Sequence, residues 1–295
     1  LAKKAKVYTG TEWVDLAAAT VDLSGYPALA TNQFGFRNKI INGDFRINQR
    51  AYTSASNLAS GSYGFDRWKS TFTNTTLTFT SAPQGQAVTI NSGGSVEQVI
   101  ERANMPAGTY VLSWTGTATG RVYNTGATPP SYAASPILVT LDGTANVEVE
   151  FTASGGTRTL QNVQLEAGSV PSAFEYRPIG TELALCQRYY HQVSNPTNIV
   201  NMRWCNGLQA TTTGSELLFY LPVSMRAQPV VTYAGSVAIT DSFSYTQAIT
   251  GLTTSATGPN PVMMSVTHAG VGASRYPIYG VLQTNTGFVY FNAEL

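Results

Sequence analysis

The chain has 295 residues and a formal net charge of +1, and only 11% of its residues are charged, against about 25% in an average globular protein. No basic run follows the opening Lys3-Lys4-Ala5-Lys6, which excludes clustered phosphate binding and so nucleic acid as a partner. The low charge and many aromatics exclude a disordered chain, and no apolar run approaches the ~18 residues of a membrane-crossing helix, so no membrane insertion is expected. The length predicts about two domains at ~100–200 residues each.

Residues 1–38 are a poor core-former. Val7-Tyr8 and Trp13-Val14 read as two short strands around a turn at Gly10. From Ala17 to Gly35 there is little periodicity, with Gly25 and Pro27 interrupting. Such a segment buries too little apolar area to offset its chain entropy, so it is expected to pack against other copies or another protein.

Residues 39–178 read as one all-β domain. Strands are predicted at Leu77–Phe79, Ala87–Ile90, Val96–Ile100, Thr109–Thr115, Ile137–Leu141, Val147–Phe151 and Thr159–Leu165, separated by Gly- and Pro-containing turns. Short, regularly punctuated strands predict a sandwich. In the last of them Val163 and Leu165 face one way and Asn162, Gln164 and Glu166 the other, the pattern of a half-buried strand. Arg121–Pro136 reads as a long loop, and loops of that length are often functional. Pro171 and Pro178 then hold the chain extended.

Residues 179–295 open with a short helix capped by Thr181, on which Leu183, Cys186 or Gln187, and Tyr190 share a face. Strands follow at Asn198–Thr211, Glu216–Val223, Val230–Tyr233 and Val262–Thr267. A final hairpin is expected to pair Ile278–Leu282 with Phe288–Asn292 around Thr284-Asn-Thr-Gly287. This makes a second β-sandwich domain, with the last strand built into the sheet.

Few residues suggest chemistry. His191 and His268 are the only histidines and have no metal-ligand spacing. No nucleophile elbow, phosphate loop or dinucleotide fingerprint appears. Glu148 and Glu150 share a strand face, which reads as a solvated surface. Cys186 and Cys205 read as reduced, packed thiols, with a disulfide between them as the other arrangement. Trp68 and Trp114 read as core. Tyr123 and Tyr132 lie in the long loop with no obvious core partner, so their rings are the candidates for stacking on sugars. His268, Arg275 and Tyr276 bring a donor, a fixed charge and an aromatic face into one distal loop, a second candidate site.

Several motifs resemble those of bacteriophage tail fibres that contain a carbohydrate-binding-module-like jelly roll. They are Lys39-Ile-Ile-Asn-Gly-Asp-Phe45, Tyr63-Gly-Phe-Asp-Arg-Trp68, Leu160-Gln-Asn-Val-Gln-Leu-Glu-Ala-Gly168, Phe174-Glu-Tyr-Arg-Pro178, Glu182-Leu-Ala-Leu-Cys-Gln-Arg-Tyr-Tyr190, Val223-Ser-Met-Arg-Ala-Gln-Pro229 and Phe291-Asn-Ala-Glu-Leu295. The resemblance implies an attachment and trimerisation segment at 1–38, a jelly roll at 39–178 and a distal C-terminal domain at 179–295. It also implies a parallel homotrimer on the virion tail, joined to other tail proteins through its N-terminal segment. Such a protein binds host polysaccharide or lipopolysaccharide without catalysis, with host recognition expected in residues 191–295. A tail connector that binds no host molecule and a polysaccharide depolymerase are the alternatives. Jelly rolls of this kind often hold calcium through an acidic residue after Asn-Gly-x-Phe and an Asp in the last strand. Arg46 and Asn162 stand at those places, removing oxygen ligands, so neither metal nor cofactor is expected.

Overall fold

The computed structural model describes residues 6–8, 13–15, 36–82, 84–195, 199–241, 246–255, 258–270, 277–283 and 286–295. Near the N-terminus, β1 (Lys6–Tyr8) pairs antiparallel with β2 (Trp13–Asp15), the two short strands expected around Gly10.

The next unit is a sandwich of two antiparallel sheets. Its strands are β3 (Asn57–Leu58), β4 (Lys69–Ser70), β5 (Thr75–Thr78), β6 (Val88–Ile90), β7 (Ser95–Ile100), β8 (Gly108–Gly116), β9 (Thr119–Asn124), β10 (Ile137–Leu141), β11 (Val147–Thr152) and β12 (Arg158–Ala167). One sheet runs β10-β8-β12-β6-β5-β3 and the other β4-β7-β11-β9. Alternate residues of each strand point between the sheets and form one core that includes Trp68, Leu112, Trp114, Phe151, Val163 and Leu165. Edge-to-face packing organises its aromatic part, as in Trp114–Phe151 at 5.0 Å and 77°. Each such pair adds about 0.5–1.5 kcal/mol beyond area burial. Both tryptophans expected in the core are there, and their indole N–H groups are satisfied by Asn42 O (Trp68, 2.9 Å) and Ala118 O (Trp114, 3.0 Å).

Two local expectations need correction. The last strand, β12, is not half-buried: Gln164 and Glu166 are buried as well as Val163 and Leu165. The entry and exit segments cover the second face. Glu175 N–H donates to Gln164 Oε1 (2.8 Å), Ser172 N–H to Glu166 Oε1 (2.7 Å), and Arg37 pairs with Glu166. A bulge at Asn162, with φ of 53°, lets Val163 N–H reach Gly43 O at 2.9 Å. The long loop is also shorter than expected. Residues up to Asn124 belong to β9, because Arg121 and Tyr123 pair with Glu150 and Glu148 of β11.

Helix α1 (Ile179–Gln187) follows Pro178 and starts two residues before Thr181, which therefore does not cap it. The first-turn Glu182 is buried and accepts from Asn42 N–H and Arg177, so the helix is pinned to the sandwich by its acidic side chain.

The C-terminal unit contains β13 (Tyr190–Ser194), β14 (Met202–Gln209), β15 (Gly214–Phe219), β16 (Val230–Ala234), β17 (Val237–Thr240), β18 (Thr246–Thr254), β19 (Val262–His268), β20 (Pro277–Leu282) and β21 (Phe288–Asn292). The all-β reading holds, and the strands divide into two layers. Six close into a barrel in the order β14-β15-β19-β18-β17-β20, and a three-stranded sheet, β13-β21-β16, packs on it. The expected final hairpin does not form. β20 pairs with β14 and β17 inside the barrel, whereas β21 is the middle strand of the small sheet, between β13 and β16. Burial explains the split: Val289 and Phe291 must face the barrel core, while Ile278 and Leu282 already belong to it.

The two units meet through a buried polar junction. Arg67 pairs with Glu294, donates to Val99 O and lies 3.6 Å from the centre of the Tyr189 ring. Arg50 also pairs with Glu294 (3.0 Å) and lies over Tyr190. Tyr63 OH and Lys69 Nζ donate to Leu295 O, and Arg188 pairs with Glu101. Cys186 and Cys205 are free and buried.

Candidate functional site

The site with most convergent chemistry is the outward face of the four-stranded sheet. Strand alternation decides which residues face out. Register sets Arg121, Glu150, Glu97 and Lys69 side by side across β9, β11, β7 and β4, and sets Tyr123, Glu148 and Val99 in the next row. Glu97 and Glu150, directly opposed like charges, would destabilise the sheet if left alone. Each has its own cation. Arg121 reaches Glu150 at 2.6 Å and Lys69 reaches Glu97 at 3.2 Å. Thr71 Oγ1–H donates to Glu150 Oε1 at 2.9 Å. Burial pushes the Glu97 carboxyl above its ordinary value, Lys69 pulls it down, and Glu148 and Glu150 push it further up.

Tyr132 comes in from the loop between β9 and β10. Backbone bonds between Gly120 and Ala133 (2.8 and 2.9 Å) tie that loop to β9. The Tyr132 ring lies 4.2 Å from the Arg121 guanidinium carbon, and Tyr123 lies 5.4 Å from it. Arg121 therefore sits between an ion pair and two aromatic rings, which fixes both tyrosines at the price of one cation. Both phenols are raised above their ordinary value, first by burial and then by hydrogen bonding, Tyr123 to Glu148 and Tyr132 to Glu150. The result is a face on which two half-buried rings flank the Arg121 guanidinium, above Glu97 and Glu150, whose carboxylates are buried and already paired. Such a surface can hydrogen-bond hydroxyls while an apolar face rests on a ring.

The two tyrosines expected from sequence are thus brought together, about nine residues apart in the chain and on one cation. Arg121, Glu150, Glu97 and Lys69 were missed. Their only sequence signal is the Glu148/Glu150 face, and that face is not solvated throughout: Glu150 is 2% exposed.

Of the distal set, His268 alone lies among the described residues. His268 is not in a loop: it ends β19, is 3% exposed, and bonds Ser215 Oγ through Nε2 and Ala269 O through Nδ1, both at 2.9 Å. A histidine next to a strand end is buried here because β15 and the 213 carbonyl satisfy it. Arg275 and Tyr276 lie outside the described residues. His191 packs flat against Phe219 at 6.0 Å, and burial lowers it to about 4.

Two further buried carboxylates are structural. Asp44 is buried against Arg46 (2.9 Å), one of the two residues standing at the calcium positions. The other, Asn162, forms the β12 bulge. Asp66 accepts from Gln49 N–H and Nε2–H at 2.6 and 2.7 Å. Among the described residues no three His, Cys, Asp or Glu side chains group as metal ligands.

No protein-family model matches the chain, and no curated protein does. Solved structures that match include a cycloisomaltooligosaccharide glucanotransferase from Paenibacillus sp., complexed with cycloisomaltoheptaose. It aligns over 83% of this chain and 46% of its own at 12% identity and a TM-score of 0.23, so this chain spans about half its length. Another is the N-terminal CBM22-1–CBM22-2 tandem domain from Paenibacillus barcinonensis Xyn10C, aligned over 83% of this chain and 98% of its own at 10% identity and a TM-score of 0.24.

Proposed function

We propose that this chain is a non-catalytic glycan-binding protein, a phage tail fibre that adheres as a homotrimer to host surface polysaccharide or lipopolysaccharide. The observation that carries the glycan reading is the outward sheet face on which Tyr123 and Tyr132 flank Arg121 above Glu150. Aromatic faces suit the C–H faces of a sugar, and the phenol hydroxyls and the part-exposed Arg121 guanidinium suit its hydroxyls. The tail-fibre part rests on the sequence motifs quoted above. Weak single sites become strong adhesion when three are carried on one rod. Host recognition is assigned here to the sandwich rather than to the distal loop, because His268 is enclosed in the barrel unit.

One observation favours a depolymerase as the second reading: Glu97 and Glu150 are opposed across β7 and β11, and paired carboxylates cleave glycosidic bonds. Against it, each is already neutralised by a cation at 3.2 or 2.6 Å. An array of bacterial capsular and lipopolysaccharide glycans, read for binding and then for new reducing ends, separates the two. Binding without release is expected. Sustained release that disappears in Glu97→Gln and Glu150→Gln overturns the non-catalytic reading. Light scattering should give three times the 31.5 kDa protomer mass; a folded monomer removes the trimer.

A further inference from the structure

The outward face of the small sheet β13-β21-β16 takes no part in the site above. Its inward residues, among them Val231, Val289 and Phe291, pack on the barrel. Register arranges the outward residues in three rows: Tyr190, Asn292 and Val230; Gln192, Tyr290 and Thr232; Ser194, Phe288 and Ala234. None of these positions carries a charge. The rings run as a connected line with near-parallel planes, Phe288 to Tyr290 at 6.1 Å and 7°, and Tyr290 to Tyr190 at 6.4 Å and 24°. Arg50 lies 3.6 Å from the Tyr190 ring centre and closes that end, while Tyr290 and Phe288 remain half-buried.

Hydrogen-bonding groups flank the rings. The hydroxyls of Tyr290, Thr232 and Ser194 make no hydrogen bond among the described residues, although their backbones pair in register in the ladder. Gln192 Oε1 accepts from Tyr190 OH at 3.2 Å, and its two amide N–H donors have no partner among the described residues. Rings in a line, with unused neutral donors and acceptors on both sides, match a chain of pyranoses, which carries C–H groups on its faces and hydroxyls around its rim. An acidic polymer would find no cation in these rows. A protein partner would bury the free hydroxyls unpaired unless it matched each one.

We propose that this face is a second binding site, for a neutral hexose or pentose polymer laid over Tyr290 and Phe288. It shares no residue with the Tyr123/Tyr132 face, so either site can fail alone. Affinity gel electrophoresis with dextran, mannan, xylan and, as the acidic counterpart, polygalacturonate tests it on the full chain. The proteins are wild type, Tyr290→Ala, Thr232→Glu and Tyr132→Ala, each checked by thermal melt and light scattering. Thr232 is exposed, so Thr232→Glu places a carboxylate on the face without touching the core and carries the test if Tyr290→Ala misfolds.

At least one neutral polymer is expected to retard the wild type. Thr232→Glu and Tyr290→Ala should weaken it by about tenfold with the melting temperature unchanged, and Tyr132→Ala should keep it. The proposal is overturned if none of the three neutral polymers retards the protein, if polygalacturonate is the stronger ligand, or if Thr232→Glu behaves as wild type. It is also overturned if Thr232→Glu alters the oligomer mass, which would make this face a contact between copies. Loss in Tyr132→Ala alone removes this site and leaves the sandwich site standing; loss in Thr232→Glu alone supports this site, and the sandwich site then stands or falls on the bacterial glycan array.

Discussion

Replacing Glu294 with alanine should uncouple the two units. Arg67 is 1% exposed and Glu294 5% exposed on their side chains, so their ion pair is out of water. Burial alone would lower Arg67, but Glu294, then Tyr189 and Tyr63, hold its guanidinium above the ordinary value. Without Glu294, Arg67 keeps only Val99 O and the Tyr189 ring. Stripping one partner from a buried pair costs about 3–5 kcal/mol. Arg50 loses the same carboxylate but is more exposed at 14%, so its share is at most about 1 kcal/mol. Together these come to about 3–6 kcal/mol, and at ~2–4 °C per kcal/mol for a chain of this size melting should fall by roughly 6–24 °C. Calorimetry should show the single transition splitting as the sandwich and barrel lose their common anchor. The double change Arg67→Met with Glu294→Leu removes both charges and should recover most of the loss. A melting curve for Glu294→Ala equal to wild type, or a double variant worse than the single one, refutes this.

Three further outcomes follow from buried groups. His191 is neutral in the folded chain, lowered from 6.5 to about 4 by burial. The unfolded state therefore takes up the proton first, and stability is lost as pH falls from about 6.5 to about 4, by up to ~3 kcal/mol. Urea unfolding at both ends of that window should show a smaller drop in His191→Gln; equal drops would remove the histidine from the account of acid sensitivity. Gly43→Ala should cost about 1–3 kcal/mol, since a Cβ there would sit 2.2 Å from Val163 O; an unchanged unfolding midpoint would show that β12 can shift. Burial pushes the Cys186 and Cys205 thiols up, so both should ignore a thiol reagent until denaturant is added. Fast labelling of either one in the native chain contradicts their burial.

Much of the sandwich was legible because its strands carry period-two patterns between Gly turns. Ile137–Leu141 was placed to the residue, and Trp114 fell on the buried face with Tyr110 and Leu112. The small sheet was not legible. Its central strand, β21, lies about a hundred residues from β13, and nothing local favours that partner over the nearby β20. β17 escaped because all four of its residues are buried, so no alternation marks it. Of the site, the ring pair Tyr123 and Tyr132 was visible as loop aromatics without core partners. The cation beneath them was not, because Arg121 meets Glu150 only through the register of β9 on β11. The Arg67–Glu294 junction spans 227 positions and has no sequence signature at all.

Adhesion through the sandwich face is tested most directly by calorimetric titration of wild type and Tyr132→Ala with the best-binding glycan of the bacterial array. Tyr132 packs on Arg121 at 4.2 Å and lies outside the hydrophobic core, so its loss should spare the fold. A drop in affinity of about tenfold, or ~1.4 kcal/mol per site, with an unchanged melting temperature is the expected result. Equal affinities for the two proteins would contradict it.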